Sequence, residues 1–110
     1  KIYMAGQING SEGYVESVTT GLLAALFIFA RISGNEFSPP PIETAIGAMH
    51  NWVTRGSGRK YQPSNMHFGL MPPGKGRKKK ERRAQVGERA RTALSEWSKV
   101  HRWVSDKRQP

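Results

Sequence analysis

Three glycines, Gly6, Gly10 and Gly13, punctuate the stretch "GQINGSEGYVES" between an extended apolar lead-in and a helix-like pattern. A glycine-rich turn that delivers the chain into a helix presents backbone N–H groups and a helix N-terminus to an anion. The spacing is GxxxGxxG, so it is not the GxGxxG dinucleotide fingerprint. On spacing alone, a structural glycine corner and an anion-facing one stand equal. Glu12 and Glu16 flank the helix start, where carboxylates serve capping and solvation more often than acid–base chemistry. By pattern, Tyr14 reads as a packing residue. His50 and His67 have no second metal-type ligand at helical spacing, so both read as structural and no metal site is expected. His101, between Trp97 and Trp103, reads as a packed surface residue. No Ser/His/Asp arrangement can be assembled. The absence of cysteine excludes a disulfide, a thiolate metal site and a Cys nucleophile on this chain.

The second chemical signal is charge. The 110 residues carry a formal net charge of +10, very unevenly spread. Residues 1–74 hold five Lys/Arg against four Glu, whereas residues 75–110 hold thirteen Lys/Arg against four acids. Within "GKGRKKKERRAQVGERAR" the residues Lys75, Arg77, Lys78, Lys79, Lys80, Arg82 and Arg83 form the densest cluster. So many like charges repel one another unless a polyanion neutralises them, and RNA is the expected partner. The competing reading is a solvated helix face.

The elements that must position these residues follow from periodicity. "KIYMA", Lys1–Ala5, reads as one short strand that needs partners this chain does not supply. The spacing predicts a first helix over about Gly13–Ile32, with Val15, Val18, Leu22, Leu26 and Phe29 inward and apolar residues almost all round, hence buried. Its uncharged run, Ser17–Ala30, is too short to span a bilayer and Arg31 closes it, so no membrane partner is expected. Gly34 and Asn35 stop the helix, and "SPPP" at residues 38–41 is a stiff connector. A second helix is predicted over Ile42–Thr54, with Ile46, Met49, Trp52 and Val53 inward and "RGSG" as its end. "KYQPSNMHFGLMPP" reads as an extended segment packed on a surface. A third helix is predicted over Lys78–Val104, with Leu94, Trp97, Val100, His101 and Val104 near helical spacing. The chain alone is thus expected to be mostly α, with about one strand and three helices. It divides into a portion at residues 1–74 and a basic helix or tail at 75–110. A large apolar helix needs a further layer to cover it, and the start at Lys1 suits a piece of something longer.

The stretches "AGQINGSEGYVESVTTGLLAAL", "TAIGAMHNWV", "YQPSNMHFGLMPP" and "GRKKKERRAQVGERA", in that order over residues 1–98, resemble the C-terminal part of TrmFO. That family is the folate- and FAD-dependent tRNA (uracil-5-)-methyltransferase. The sister family GidA/MnmG, which modifies the tRNA wobble uridine, shares the glycine corner; the "QPSNMHFGLMPP" segment favours TrmFO. The resemblance implies an α/β parent, a Rossmann-like FAD-binding domain of the glutathione-reductase type, whose C-terminal portion is residues 1–74. It implies that Gly6, Gln7, Gly10, Glu12 and Gly13 lie against FAD, with Gln7 making a side-chain contact. The helix start near Gly13 would then favour the anionic reduced flavin. It further implies that Tyr14 positions the base or the folate. Methylenetetrahydrofolate is the implied methylene donor, NAD(P)H the reductant and tRNA the substrate, all in the cytoplasm. The N-terminal FAD-binding part of the enzyme is the implied partner. Departures are the missing GxGxxG cradle, the missing substrate domain and the missing cysteines of methyl transfer, so the chain alone is expected to be inactive and unable to hold FAD. A non-enzymatic RNA-binding remnant of such a flavoenzyme is the alternative.

Overall fold

A computed structural model describes residues 2–55 and 62–104. Three α-helices dominate: α1, Tyr14–Ser33; α2, Ala45–Arg55; and α3, Lys79–Val100. Single 3-10 turns lie at Gly6–Asn9, Phe68–Leu70 and Arg102–Val104. The expected strand does not form: Ile2–Ala5 is extended but unpaired, and the described residues contain only an isolated parallel bridge, Ser11 to Ser64. The physical reason is the lack of any neighbouring strand to complete its hydrogen bonds. "RGSG", where α2 was expected to end, lies largely outside the described residues, as do Lys60 and Tyr61 of the extended segment.

α1 ends on Gly34, which adopts φ 74° and donates its N–H to the Ala30 carbonyl, with Asn35 N–H reaching the same oxygen at 3.0 Å. α2 starts at Thr44, whose Oγ1 accepts the Gly47 N–H at 2.9 Å, a side-chain cap. The proline connector then serves as a wall. A Cβ at Gly47 would run into the carbonyl oxygens of Pro40 and Pro41, so only glycine lets α2 ride this close to that backbone.

The inward face of α1 differs from the expected one. Thr20, Leu23 and Ala30 are buried, while Val15, Val18, Leu22 and Ile32 are 76%, 71%, 52% and 80% exposed. The helix is apolar on two sides, and this chain covers one. Apolarity all round therefore did not identify the packed face. Polar partners did, because Thr20 is fixed by hydrogen bonds described below. At twenty residues α1 is also long and apolar enough, by length and composition, to cross a bilayer. A core helix of a soluble protein passes the same test.

The core has two parts. Ala48, Met71 and Val86 bury one another, with Met66, Leu70 and Ala90 around them. An aromatic group joins α1, the connector and the end of α3. Phe27 meets Phe37 edge-on at 4.6 Å between centroids, and Trp97 stacks on His101 at 4.5 Å. His101 is buried, not a surface residue. Its Nε2 accepts the Ser38 N–H at 3.2 Å, and Trp97 Nε1–H donates to the Ser38 carbonyl at 2.8 Å. α3 stops at Val100, four residues earlier than its apolar spacing suggests, and Leu94, Val100 and Val104 are exposed.

Candidate functional site: the glycine corner and the basic helix

All three corner glycines have positive φ: 82° at Gly6, 101° at Gly10 and 100° at Gly13. Such angles are routine only for glycine, and they fold Gly6–Gly13 into a compact loop that enters α1 at Gly13. The loop is bolted to the helix. Gly6 N–H donates to Thr20 Oγ1 at 2.9 Å, and Thr20 Oγ1 donates on to the Ser17 carbonyl at 3.1 Å. Ser11, fully buried, donates its hydroxyl to the Gly6 carbonyl at 2.7 Å.

From the other side, residues 64–66 strap the loop. Glu12 N–H donates to the Ser64 carbonyl at 3.0 Å and Ser64 N–H donates to the Gly10 carbonyl at 2.9 Å. Asn65 Nδ2 donates to the Glu12 carbonyl at 2.8 Å, and Met66 N–H donates to Glu16 Oε1 at 3.1 Å. The extended "QPSNM" segment thus packs on the corner itself. Of the two carboxylates, Glu16 does the binding. Bonds from its own N–H, then from Met66 N–H and the Asn65 side chain, hold its carboxyl below the ordinary value of 4.5.

That shift gives a pH prediction. A carboxyl whose folded pKa is depressed contributes stability that is present above its ordinary pKa and is lost as pH falls through the folded value. The Met66 amide proton shift, followed by NMR from pH 7 downward, should therefore titrate with a midpoint below 4.5. Glu16→Gln should abolish the titration. A midpoint above 4.5, or a titration that survives in the variant, would show that Glu16 does not hold the strap.

Gly6, Gln7, Gly13, Tyr14 and Ser17 surround one open surface cavity of about 410 Å³. Four of the candidate residues are thereby brought together. Gly10 and Glu12 are not among them; they face the strap. Tyr14 is 95% exposed at the cavity edge, so the packing reading is corrected: its ring touches solvent, not core. The first-turn N–H groups of α1 have no acceptor inside the helix, and that of Glu16 is met by its own carboxylate. Glu16 therefore already offsets part of the helix's positive end, leaving the amides of Tyr14 and Val15 toward the cavity. The residues fit one edge of a flavin, held by glycine backbone and the Gln7 amide. They offer no cradle for a pyrophosphate, because the Glu16 carboxylate lies where a second anion would sit.

The basic cluster lies on the last loop before α3 and on its first turns. Lys75, Arg77, Lys78, Lys79, Lys80, Arg82 and Arg83 are all exposed, as a polyanion-binding surface requires. The two ion pairs among the described residues, Arg91–Glu88 and Lys99–Glu96, lie further along the helix. Arg82 Nη1 donates to the carbonyls of Gly76 and Arg77 at 3.3 Å and 3.0 Å. The sequence reading missed Arg89, which donates to the carbonyls of Pro72 and Pro73 and clamps the strap to α3. It also missed Ser11, Thr20 and Asn65. Their only signal was an unusual density of small polar residues around an apolar helix start.

Among families, the one described as glucose inhibited division protein A matches residues 1–36. Three relatives named methylenetetrahydrofolate–tRNA-(uracil-5-)-methyltransferase TrmFO are similar over most of the chain. That of Myxococcus xanthus is 48% identical over 101 residues, 88% of this chain and 22% of its own length. The Zymomonas mobilis protein is 46% identical over 98 residues, 87% of this chain and 22% of its own. The Sphingopyxis alaskensis protein is 48% identical over 101 residues, 90% of this chain and 22% of its own. The resemblance to TrmFO read from the motifs is borne out. The chain spans about a fifth (22%) of the length of these curated relatives.

Proposed function

We propose, from relatives that carry the name TrmFO, that this chain is the C-terminal portion of a flavin- and methylenetetrahydrofolate-dependent tRNA uracil-5-methyltransferase of the cytoplasm. The observation that carries the reading is the corner, where positive-φ glycines deliver a helix start and Gln7 to one open cavity. In this reading Gly6, Gln7, Gly13 and Tyr14 form one edge of the FAD site, while Gly10 and Glu12 hold the loop in shape against the strap. Tyr14, exposed at the rim, positions the base or the folate. FAD, when bound, supplies the reducing electrons, drawn from NAD(P)H, that convert the transferred methylene to a methyl group. The pyrophosphate cradle, the catalytic thiols and the remaining sheet of a Rossmann-like domain come from the N-terminal part of the same enzyme. The bare apolar stripe Val15, Val18, Leu22 and Ile32 supports that division, because so much exposed aliphatic surface calls for a covering layer. Lys75 and the Arg77–Arg83 cations neutralise phosphates of the tRNA.

A second reading is a non-enzymatic RNA-binding descendant in which the basic run is the function. The exposed cluster favours it, but the corner geometry it would no longer need is intact. A GidA/MnmG-type enzyme shares the corner, whereas the relatives aligned across 87–90% of this chain bear the TrmFO name. The test is to purify the whole polypeptide carrying this sequence and supply a tRNA transcript, methylenetetrahydrofolate and NADPH. The expected result is bound flavin and folate-dependent 5-methyluridine, with neither from this chain alone. RNA binding without flavin uptake by the whole polypeptide would overturn the enzyme reading in favour of the second.

A further inference from the structure

Between the strap and α3 lies a surface that the corner does not use. Phe68 stands 53% exposed there, with the Arg83 guanidinium carbon 5.4 Å from its ring centroid. Phe68, Pro72, Pro73, Lys79, Arg83 and Val86 line a shallow cavity of about 300 Å³. A phenyl ring has no hydrogen-bonding group to satisfy in water, so its exposure among cations marks a surface shaped for a flat, anion-bearing partner.

The ring is held in place from both sides. The turn that carries it is closed by Met71 N–H donating to the Phe68 carbonyl at 3.1 Å and by Gly69 N–H donating to His67 Nδ1 at 3.1 Å. Before it, residues 64–66 are hydrogen-bonded to the glycine corner. After it, Pro72 and Pro73 are clamped by Arg89. Preorganisation of this kind lowers the ordering cost of binding.

We infer that Phe68 and Arg83 form a stacking platform for a single unpaired RNA base, with Lys79 and its basic neighbours holding the adjoining phosphates. The inference rests on the basic run being an RNA contact. An unpaired base is specified because a paired base keeps both faces inside its own stack, whereas a splayed base stacks on an aromatic or guanidinium plane. Arg83 supplies such a plane beside the phenyl ring. The chemistry reads no base edge, so the platform accepts any base. Because the strap joins platform and corner, a nucleotide held at Phe68 lies on the same continuous segment that pins the flavin edge.

The test uses the whole polypeptide with two labelled probes, a single-stranded oligouridylate and an RNA duplex of equal length, titrated at several salt concentrations. Phe68→Ala should weaken single-strand binding by roughly 5- to 150-fold, the range expected for one lost stack. It should leave the salt slope and duplex binding unchanged, and Phe68→Trp should restore single-strand affinity. Unchanged single-strand affinity in Phe68→Ala, equal losses on both probes, or no rescue by tryptophan would each overturn the platform. In those cases wild-type binding and its salt slope persist, so the basic-run reading survives. Failure of the wild type to bind either probe at low salt would instead remove both.

Discussion

Replacing Lys78, Lys79, Lys80, Arg82 and Arg83 with glutamine should flatten the salt dependence of RNA binding by a slope of roughly 3.5 to 4.5. The estimate assumes that each residue neutralises one phosphate and releases a counterion, worth about 0.7 in slope on single strands and 0.9 on duplex. At low salt the affinity should fall by orders of magnitude, while at high salt the two proteins should converge. Base preference should hold, since point charges position a backbone and do not read sequence. The fold should persist, because all five side chains are exposed and Val86, the buried residue of α3, is retained. Only the Arg82 bonds to the Gly76 and Arg77 carbonyls are lost from the turn before the helix. Affinity titrations of tRNA at several salt concentrations, with circular dichroism on both proteins, give the result. An unchanged slope would make the run a solvated face and move the RNA contact elsewhere.

Local signals were legible from sequence where the backbone itself imposes them. Gly6, Gly10 and Gly13 were expected to need positive φ or close approach, and all three have it. Gly34 and the proline connector ended α1 where composition said they should. The exposed basic turns of α3 followed from a run with no apolar face. What failed needed long-range partners. The Lys1–Ala5 strand was legible as extended chain, but strand pairing is a property of two segments, and Ile2–Ala5 has no second one here. The packed face of α1 was misassigned because aliphatic residues line two sides of it. The deciding contact was Thr20 with Gly6 and Ser11, a polar bolt that hydrophobic periodicity does not see. His101 was misjudged for the same reason: its burial depends on Ser38, 63 residues away in the chain. Phe68 carried no periodic signal either, and only the fold sets it beside Arg83. At the site, Gly6, Gln7, Gly13 and Tyr14 converge as the motif suggested, while Gly10 and Glu12 turn to the strap.

The central claim, that the corner is an edge of a flavin site and not merely a turn, is tested most directly by two valines in the whole polypeptide. Gly13 has φ 100° and Gly34 has φ 74°, so a side chain at either strains the backbone, at about 1–3 kcal/mol. Their surroundings differ. A Cβ at Gly34 meets nothing within 4 Å. A Cβ at Gly13 would press on the Glu16 carboxylate and come within 2.9 Å of Asn65 Nδ2, on the wall of the cavity. Flavin-to-protein ratio after gel filtration, measured by absorbance on both variants with melting curves to establish that each is folded, separates strain from site. Gly13→Val should lose most of its flavin while Gly34→Val keeps a near wild-type ratio. Full flavin in Gly13→Val, or equal losses in the two variants, would contradict the account.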